Sequence, residues 1–387
     1  MQQTINFTTP NIIFGWGVAD RAGEEAKRLG AKRAVLLTGA NVQKAGLVQP
    51  VLDSLKKAGV ESDVYLVTRT TVEPSTQNAE EAAEYVRERG ADCVIAVGGG
   101  SVLDVAKLAA ALQKNPLKVR DYFGKEKVPN RGIPTILVPT TSGTGAEVTK
   151  HAIFHDEQAN VKKAVASSNI LPNSAIVDPA LTLSCPRHVT ADSGFDAFMH
   201  AAEPMLSNAA NPITDNLAMT AIRLITRWIG PAYADGSNRD ARYYMALGSV
   251  TAGLVLNNAG TSLVHALAYP IGGEYHVSHG TSLTCLVLSC FDYITVAVED
   301  KLVMLAEAMG ERTEGLPSRE AAALALRAID SLLTRLDLPK TLTAMGITDK
   351  SRVDEWAVGA HAEQRLLSRS ARVLEVEDIR KIYLNAF

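Results

Sequence analysis

The sequence predicts an α/β N-terminal half built on a parallel sheet, residues 1–183, followed by an all-α C-terminal half, residues 184–387. Two observations carry this. Up to about residue 180, short β-branched and aliphatic runs alternate with helical stretches, the pattern of a parallel sheet wrapped by helices. From about residue 186 the runs of five give way to long Ala/Leu-rich stretches of helical period.

Taken in order, residues 34–38 (AVLLT), 63–67 (DVYLV), 93–97 (CVIAV), 135–139 (TILVP) and 175–178 (AIVD) read as strands. A helix is expected over 76–89, with Ala79, Ala82, Ala83 and Val86 on its apolar face and Gly90 as its stop. Strand order does not follow from the alternation. In the second half, helices are expected over 212–228, 241–256 and 319–336, and the two halves join near Pro179 to Pro186. Pro204 has no amide hydrogen to donate, so a kink or helix end is expected just after Glu203.

Composition excludes several function classes. The 387 residues are 47% hydrophobic and 21% charged, near the globular average, and long enough for two domains. A net charge of -3 gives no basic excess for nucleic acid or an anionic membrane surface. The four cysteines, Cys93, Cys185, Cys285 and Cys290, form no C-x-x-C pair and read as reduced thiols. With no signal-peptide pattern and no apolar run of ~18 residues, neither secretion nor membrane insertion is indicated. The expected location is cytoplasmic.

After the third strand comes GGGSVLDVAK, Gly98 to Lys107, opening a helix. Three glycines let the backbone approach a ligand and adopt positive φ, and free amides at the helix start attract an anion such as a pyrophosphate. The loop lacks the G-x-G-x-x-G fingerprint, so a merely tight turn is the competing reading. A second loop, PTTSGTGAEVTK from Pro139 to Lys150, also follows a strand and is rich in hydroxyls. Two such loops at strand carboxyl ends mark the crevice where open α/β sheets bind ligands.

The second half holds the candidate chemistry. In ADSGFDAFMHAAE, Asp196 and His200 stand four apart, which on a helix brings their Cβ atoms within ~5–6 Å. His265 and His279 follow in HALAYPIGGEYHVSHG. A straight helix would separate those two by ~21 Å, so the run Pro270, Gly272, Gly273 is expected to break the helix and fold one back on the other. One carboxylate and three imidazoles suit Fe2+ or Zn2+. His276, three residues before His279, is an alternative ligand. His151, His155, His188 and His361 lack ligand-like company, with His151, which follows the second loop, a candidate for the edge of a substrate pocket. No cluster of Arg in the helical half marks an anionic substrate.

These motifs, in this order, resemble the iron-containing (group III) alcohol dehydrogenases of the dehydroquinate synthase-like superfamily. The resemblance runs from NIIFGWG through both loops and LPNSAIVDP to the two metal-type segments, with SARVLEVEDI as a tail match. It implies a dinucleotide-binding domain over 1–183, an all-helical metal-binding catalytic domain over 184–387, a cleft between them where nicotinamide meets substrate, and homodimers or larger homo-oligomers. Carried over, the metal ligands fall on Asp196, His200, His265 and His279, with Fe2+ the expected ion and Zn2+ the other candidate. Cofactor contacts fall on Gly98, Gly99, Gly100, Ser101, Asp104, Thr140, Thr141, Thr144, Thr149 and Lys162.

Two positions depart from the family pattern. Gly39 stands where many NAD-using relatives carry Asp, leaving NAD or NADP open as the cofactor. Tyr269 stands where many have a histidine suspected of proton relay, so Tyr269, His276 or a water chain would serve. The implied reaction is hydride transfer between nicotinamide and a small alcohol or aldehyde. The alternatives are a maleylacetate reductase-like enzyme, against which the intact ligand set argues, and a non-redox relative that uses NAD transiently.

Overall fold

The computed structural model describes residues 4–68, 73–156, 158, 161–275 and 277–387. Its strands are β1 (Asn11–Phe14), β2 (Arg33–Thr38), β3 (Glu61–Leu66), β4 (Cys93–Gly98), β5 (Gly124–Lys125), β6 (Thr135–Pro139), β7 (His151–Asp156), β8 (Val161–Ala166) and β9 (Ser174–Val177). Six form a sheet in the order β1-β9-β6-β4-β2-β3, with every neighbouring pair parallel. Successive side chains of a strand point to opposite faces, and the core divides accordingly. Val35, Leu37, Val94, Ala96 and Leu137 pack on one side. Ala34, Leu36, Cys93, Ile95, Val97, Ile136 and Val138 pack on the other. Burial on both faces explains why the central strands read as unbroken apolar runs.

The helices of this half are α1 (Ala22–Arg28), α2 (Ala40–Lys44), α3 (Gln49–Ala58), α4 (Thr76–Glu88) and α5 (Gly100–Ala111). Ser75 caps α4, its hydroxyl accepting from the Asn78 amide at 3.3 Å while Asn78 Oδ1 accepts from the Ser75 amide at 2.9 Å. Gly90 follows in the left-handed region, φ 61°, and ends the helix as expected. Unanticipated is a second, three-stranded sheet, in which β7 pairs antiparallel with β8 and β5 pairs parallel with β8. The register of the large sheet sets Thr38 opposite Val97 and Gly98 opposite Pro139. The loops after β2, β4 and β6 therefore leave neighbouring strands side by side.

The second half is helical: α6 (Arg187–Met205), α7 (Pro212–Ala234), α8 (Arg239–Ala259), α9 (Leu263–Tyr275), α10 (His279–Thr284), α11 (Val287–Ala308), α12 (Ser318–Arg335), α13 (Val353–Ala362), α14 (Gln364–Leu367) and α15 (Val376–Asn385). Helix α6 ends two residues after Glu203, with Pro204 in its last turn. The expected break at Pro270, Gly272 and Gly273 does not occur, because α9 continues through all three to Tyr275. Packing holds it: Pro270 lies against Gly359 of α13, and the Tyr383 hydroxyl of α15 donates to the Leu267 carbonyl at 2.6 Å in the turn the proline disturbs. His279 instead opens a separate helix, α10.

By packing, Thr8–Cys185 and Gly236–Ala246 form one unit, while Pro186–Asp235 and Leu247–Phe387 belong to the other. The excursion at 236–246 joins the sheet half through Tyr243, edge-on to Phe14 at 5.0 Å, and Arg239, 4.5 Å over the Trp16 ring. Among the described residues no helix is long and apolar enough to cross a membrane.

Candidate metal centre and nucleotide loops

One face of α6 carries Asp192, Asp196, His200 and Glu203, spaced four, four and three residues apart and so aligned along the helix. Asp196 Oδ1 is the focus. It lies 3.3 Å from His200 Nε2, 3.9 Å from His265 Nε2 and 3.8 Å from His279 Nε2. Four ligand atoms held ~2.1 Å from one ion at tetrahedral angles sit ~3.4 Å from each other, so these separations are those of a single cation site. Asp196, His265 and His279 offer atoms mutually within 4.8 Å. His200 enters through Asp196 and stacks on His265, ring centroids 5.3 Å apart.

The buried chemistry fits a cation. His265 Nε2 is buried with no hydrogen-bond partner among the described residues, a costly state unless something accepts its lone pair. That lone pair is fixed by Glu203, which sequence reasoning overlooked. Glu203 Oε2 lies 2.5 Å from His265 Nδ1, and Oε1 accepts from the Val264 amide at 2.5 Å. A carboxylate that already accepts a backbone amide fixes the proton on Nδ1 and leaves Nε2 as donor to a metal. The legible signal was a Glu three residues beyond His200, on the same stripe, in an otherwise apolar A-A-E-P-M context.

Asp192 acts on His279 indirectly, through the residues that flank it. Its Oδ1 accepts from the hydroxyls of Ser278 at 2.5 Å and Thr281 at 2.8 Å, and Ser278 caps α10, whose first residue is His279. Gly280 makes this approach possible, since a Cβ there would stand 2.3 Å from the Asp192 carbonyl oxygen. Glu203→Gln is expected to weaken metal binding ~10–100-fold, read by competition with a coloured chelator. Wild-type affinity in that variant would mean that His265 holds its place unaided.

In the sheet half, the glycine loop behaves differently from expectation. Gly98, Gly99 and Gly100 do not have positive φ; Gly99 is the extended N-cap of α5 at φ -76°. The reason for glycine is close approach: a Cβ on Gly100 would stand 2.6 Å from Thr144 Cγ2 of the neighbouring loop. The Thr140 amide donates to the Gly98 carbonyl at 3.0 Å, and Gly99 lies against Thr141. Ser101 sits in the first turn of α5, whose leading amides face no helical partner.

Asp104 and Thr149 turn inward. Asp104 accepts from Lys107 Nζ at 3.1 Å and from the Ile153 amide at 2.9 Å, and Lys107 Nζ also donates to Thr149 Oγ1 at 3.4 Å. Burial raises the Asp104 carboxyl and lowers the Lys107 ammonium, and it pushes nearby Glu147 up to about 7. The structure thus places Asp104 and Thr149 in a buried network beneath the loops. Lys162 is buried and paired with Glu73 at 2.9 Å. Gly39 caps α2, and a Cβ there would meet only Val102 Cγ2, at 3.9 Å.

Residues 9–179 match the family model for iron-containing alcohol dehydrogenase, and residues 190–387 match the C-terminal model of the Fe-containing alcohol dehydrogenase family. The chain belongs to the iron-containing alcohol dehydrogenase family. It is 41% identical over 376 residues to long-chain-alcohol dehydrogenase 1 of Geobacillus thermodenitrificans (strain NG80-2), across 96% of this chain and 94% of the relative. A solved 1,3-propanediol oxidoreductase superposes with a TM-score of 0.95 at 33% identity, covering 100% of both chains. Sulfoacetaldehyde reductase from Bifidobacterium kashiwanohense, solved in complex with NAD+, gives a TM-score of 0.87 at 26% identity over 100% of this chain and 99% of its own.

This alcohol dehydrogenase is accordingly an NAD-linked oxidoreductase of a family that works with NAD(H) and a divalent metal. Of the two relay candidates, Tyr269 lies one turn after His265, its ring 6.5 Å from that of His279, and its hydroxyl accepts from Arg365 at 3.2 Å. His276 lies outside the described residues.

Proposed function

We propose that the enzyme interconverts small alcohols and aldehydes, with Asp196, His200, His265 and His279 holding Fe2+ or Zn2+ and the loops at Gly39, Gly98–Gly100 and Thr140–Thr144 receiving the dinucleotide. The observation that carries this is the convergence of three imidazole nitrogens on Asp196 Oδ1. A divalent cation held there supplies Lewis acidity toward the substrate oxygen. Asp196 would contribute the one negative charge of the set and the imidazoles neutral donors, so a divalent ion held by them would keep net positive charge. Glu203 and Asp192 hold His265 and His279 in place. The amides at the start of α5 hold the diphosphate by their positive end, and the close contact of Gly100 with Thr144 fixes where they point. Tyr269, its ring 6.5 Å from that of His279, is the residue we assign to proton relay.

On this reading residues 1–183 serve the cofactor and 184–387 the metal, in a cytoplasmic homodimer or larger homo-oligomer. The ligand set disfavours a maleylacetate reductase-like reaction, which needs no metal. Elemental analysis of the purified protein, together with reduction rates of NAD+ and NADP+ across short alcohols, diols and hydroxy acids, tests the proposal. Full activity after exhaustive chelation would end it. Cofactor choice is tested at Gly39. Gly39→Asp fills open space with a carboxylate suited to ribose hydroxyls and repulsive to a 2′-phosphate. The NADP+/NAD+ ratio of kcat/KM is expected to fall roughly tenfold or more; an unchanged ratio would remove the adenosine ribose from this position.

A further inference from the structure

We infer that Arg365, supported by Arg369, forms an anion-binding subsite beside the metal centre that receives the carboxylate of a short aldehyde acid or hydroxy acid. The inference deepens the proposed alcohol dehydrogenase reading and rests on it. The sequence showed no cluster of Arg in the helical half, yet Arg365 of α14 reaches Tyr269 of α9, and Arg369, two residues beyond α14, reaches the segment that leads into α9. Arg365 donates to the Tyr269 hydroxyl at 3.2 Å, and the Tyr269 ring lies 6.5 Å from His279. A single phenol therefore separates this guanidinium from a ligand imidazole.

Behind it, Arg369 donates to the Thr261 carbonyl at 3.3 Å and covers Gly260 so closely that a Cβ there would stand 2.5 Å from its Nη1. Burial, and then the charge of Arg365, push Arg369 below the ordinary guanidinium value, with the Glu203 carboxylate opposing the shift in part. Neither group lies within ion-pair distance of a carboxylate among the described residues. Arginines elsewhere in this half do: Arg352 pairs with Glu355 at 2.8 Å, and Arg380 with Asp354 at 2.7 Å.

Two like charges held together next to a cation site are unfavourable on their own. An incoming carboxylate removes the repulsion, and the planar fork of Arg365, with one of its five N–H donors spent on Tyr269, can grip it bidentately. Arg369 is fixed by its backbone bond and its bed on Gly260, so it adds charge. Arg365, half-buried, makes the contact.

The test compares reduction of succinic semialdehyde with reduction of butanal, a neutral aldehyde of equal carbon count, by the metal-loaded enzyme with NADH. Wild type is expected to favour the acid in kcat/KM. Arg365→Met should lower the acid-to-neutral ratio roughly tenfold to a hundredfold, the scale of a charged hydrogen bond, chiefly through KM for the acid. Arg365→Lys should recover part of it. Because the readout is a ratio within each variant, partial loss of folded protein does not alter it. Equal use of both aldehydes by wild type, or a ratio unmoved by Arg365→Met, overturns the subsite while leaving the dehydrogenase intact. Reduction of neither, nor of any alcohol's oxidation product, overturns the underlying redox reading and the subsite with it.

Discussion

Asp196→Ala is expected to abolish bound metal and to lower kcat/KM by about a thousandfold or more. The size follows from position. Asp196 Oδ1 is the one atom near which all three imidazole Nε2 atoms lie, so its removal takes both the anionic ligand and the common vertex of the set. Three imidazoles alone can still bind zinc, and for that reason metal content and turnover are to be measured together. Retained metal with lost turnover would make Asp196 a tuner of the centre. Retention of both would place the chemistry elsewhere. His265→Ala should act almost as strongly, and it leaves Glu203 buried without its imidazole partner.

Gly280→Ala has the second largest expected effect, although it adds one methyl group and touches no ligand. The new Cβ would stand 2.3 Å from the Asp192 carbonyl and 2.8 Å from its carboxyl carbon. Backbone cannot yield as a side chain does, so α10 must move away from α6. The overpacking is expected to cost about 1–3 kcal/mol. It also carries His279 off the common focus and breaks the Ser278 and Thr281 bonds to Asp192. Thermal unfolding of the metal-free protein reads the first effect, and chelator competition the second. Wild-type values in both would mean that the two helices have slack between them.

The parts of this fold that sequence made visible are those decided locally. Central strands buried on both faces have little freedom to be anything else, and the Asp196/His200 pair needs only the helical repeat. Stop signals such as Gly90 are equally local. What escaped depends on partners far along the chain. The strands β7 (HAIFHD) and β8 (VKKAVA) are interrupted by charged and imidazole side chains, and they form strands by pairing with each other, with β5 on the far side of β8. Pro270 reads as a breaker until α13 and α15 are packed against it. Gly98–Gly100 suggested unusual torsions, whereas Gly100 is small to admit Thr144 of a loop forty residues onward and Gly98 to admit Val102 of the helix it precedes. Glu203 was a single acid among alanines, and its purpose appears only when α9 supplies His265.

The excursion of residues 236–246 bears on how this molecule can be taken apart. Because Tyr243 and Arg239 complete the aromatic edge around Phe14 and Trp16, a fragment ending at Cys185 would lack a piece of its own wall. A fragment beginning at Pro186 would carry that piece with nothing to receive it. The sheet unit and the helical unit differ in composition, yet no single scission of the chain yields both whole, because α8 gives its first residues, up to Ala246, to one and the rest to the other.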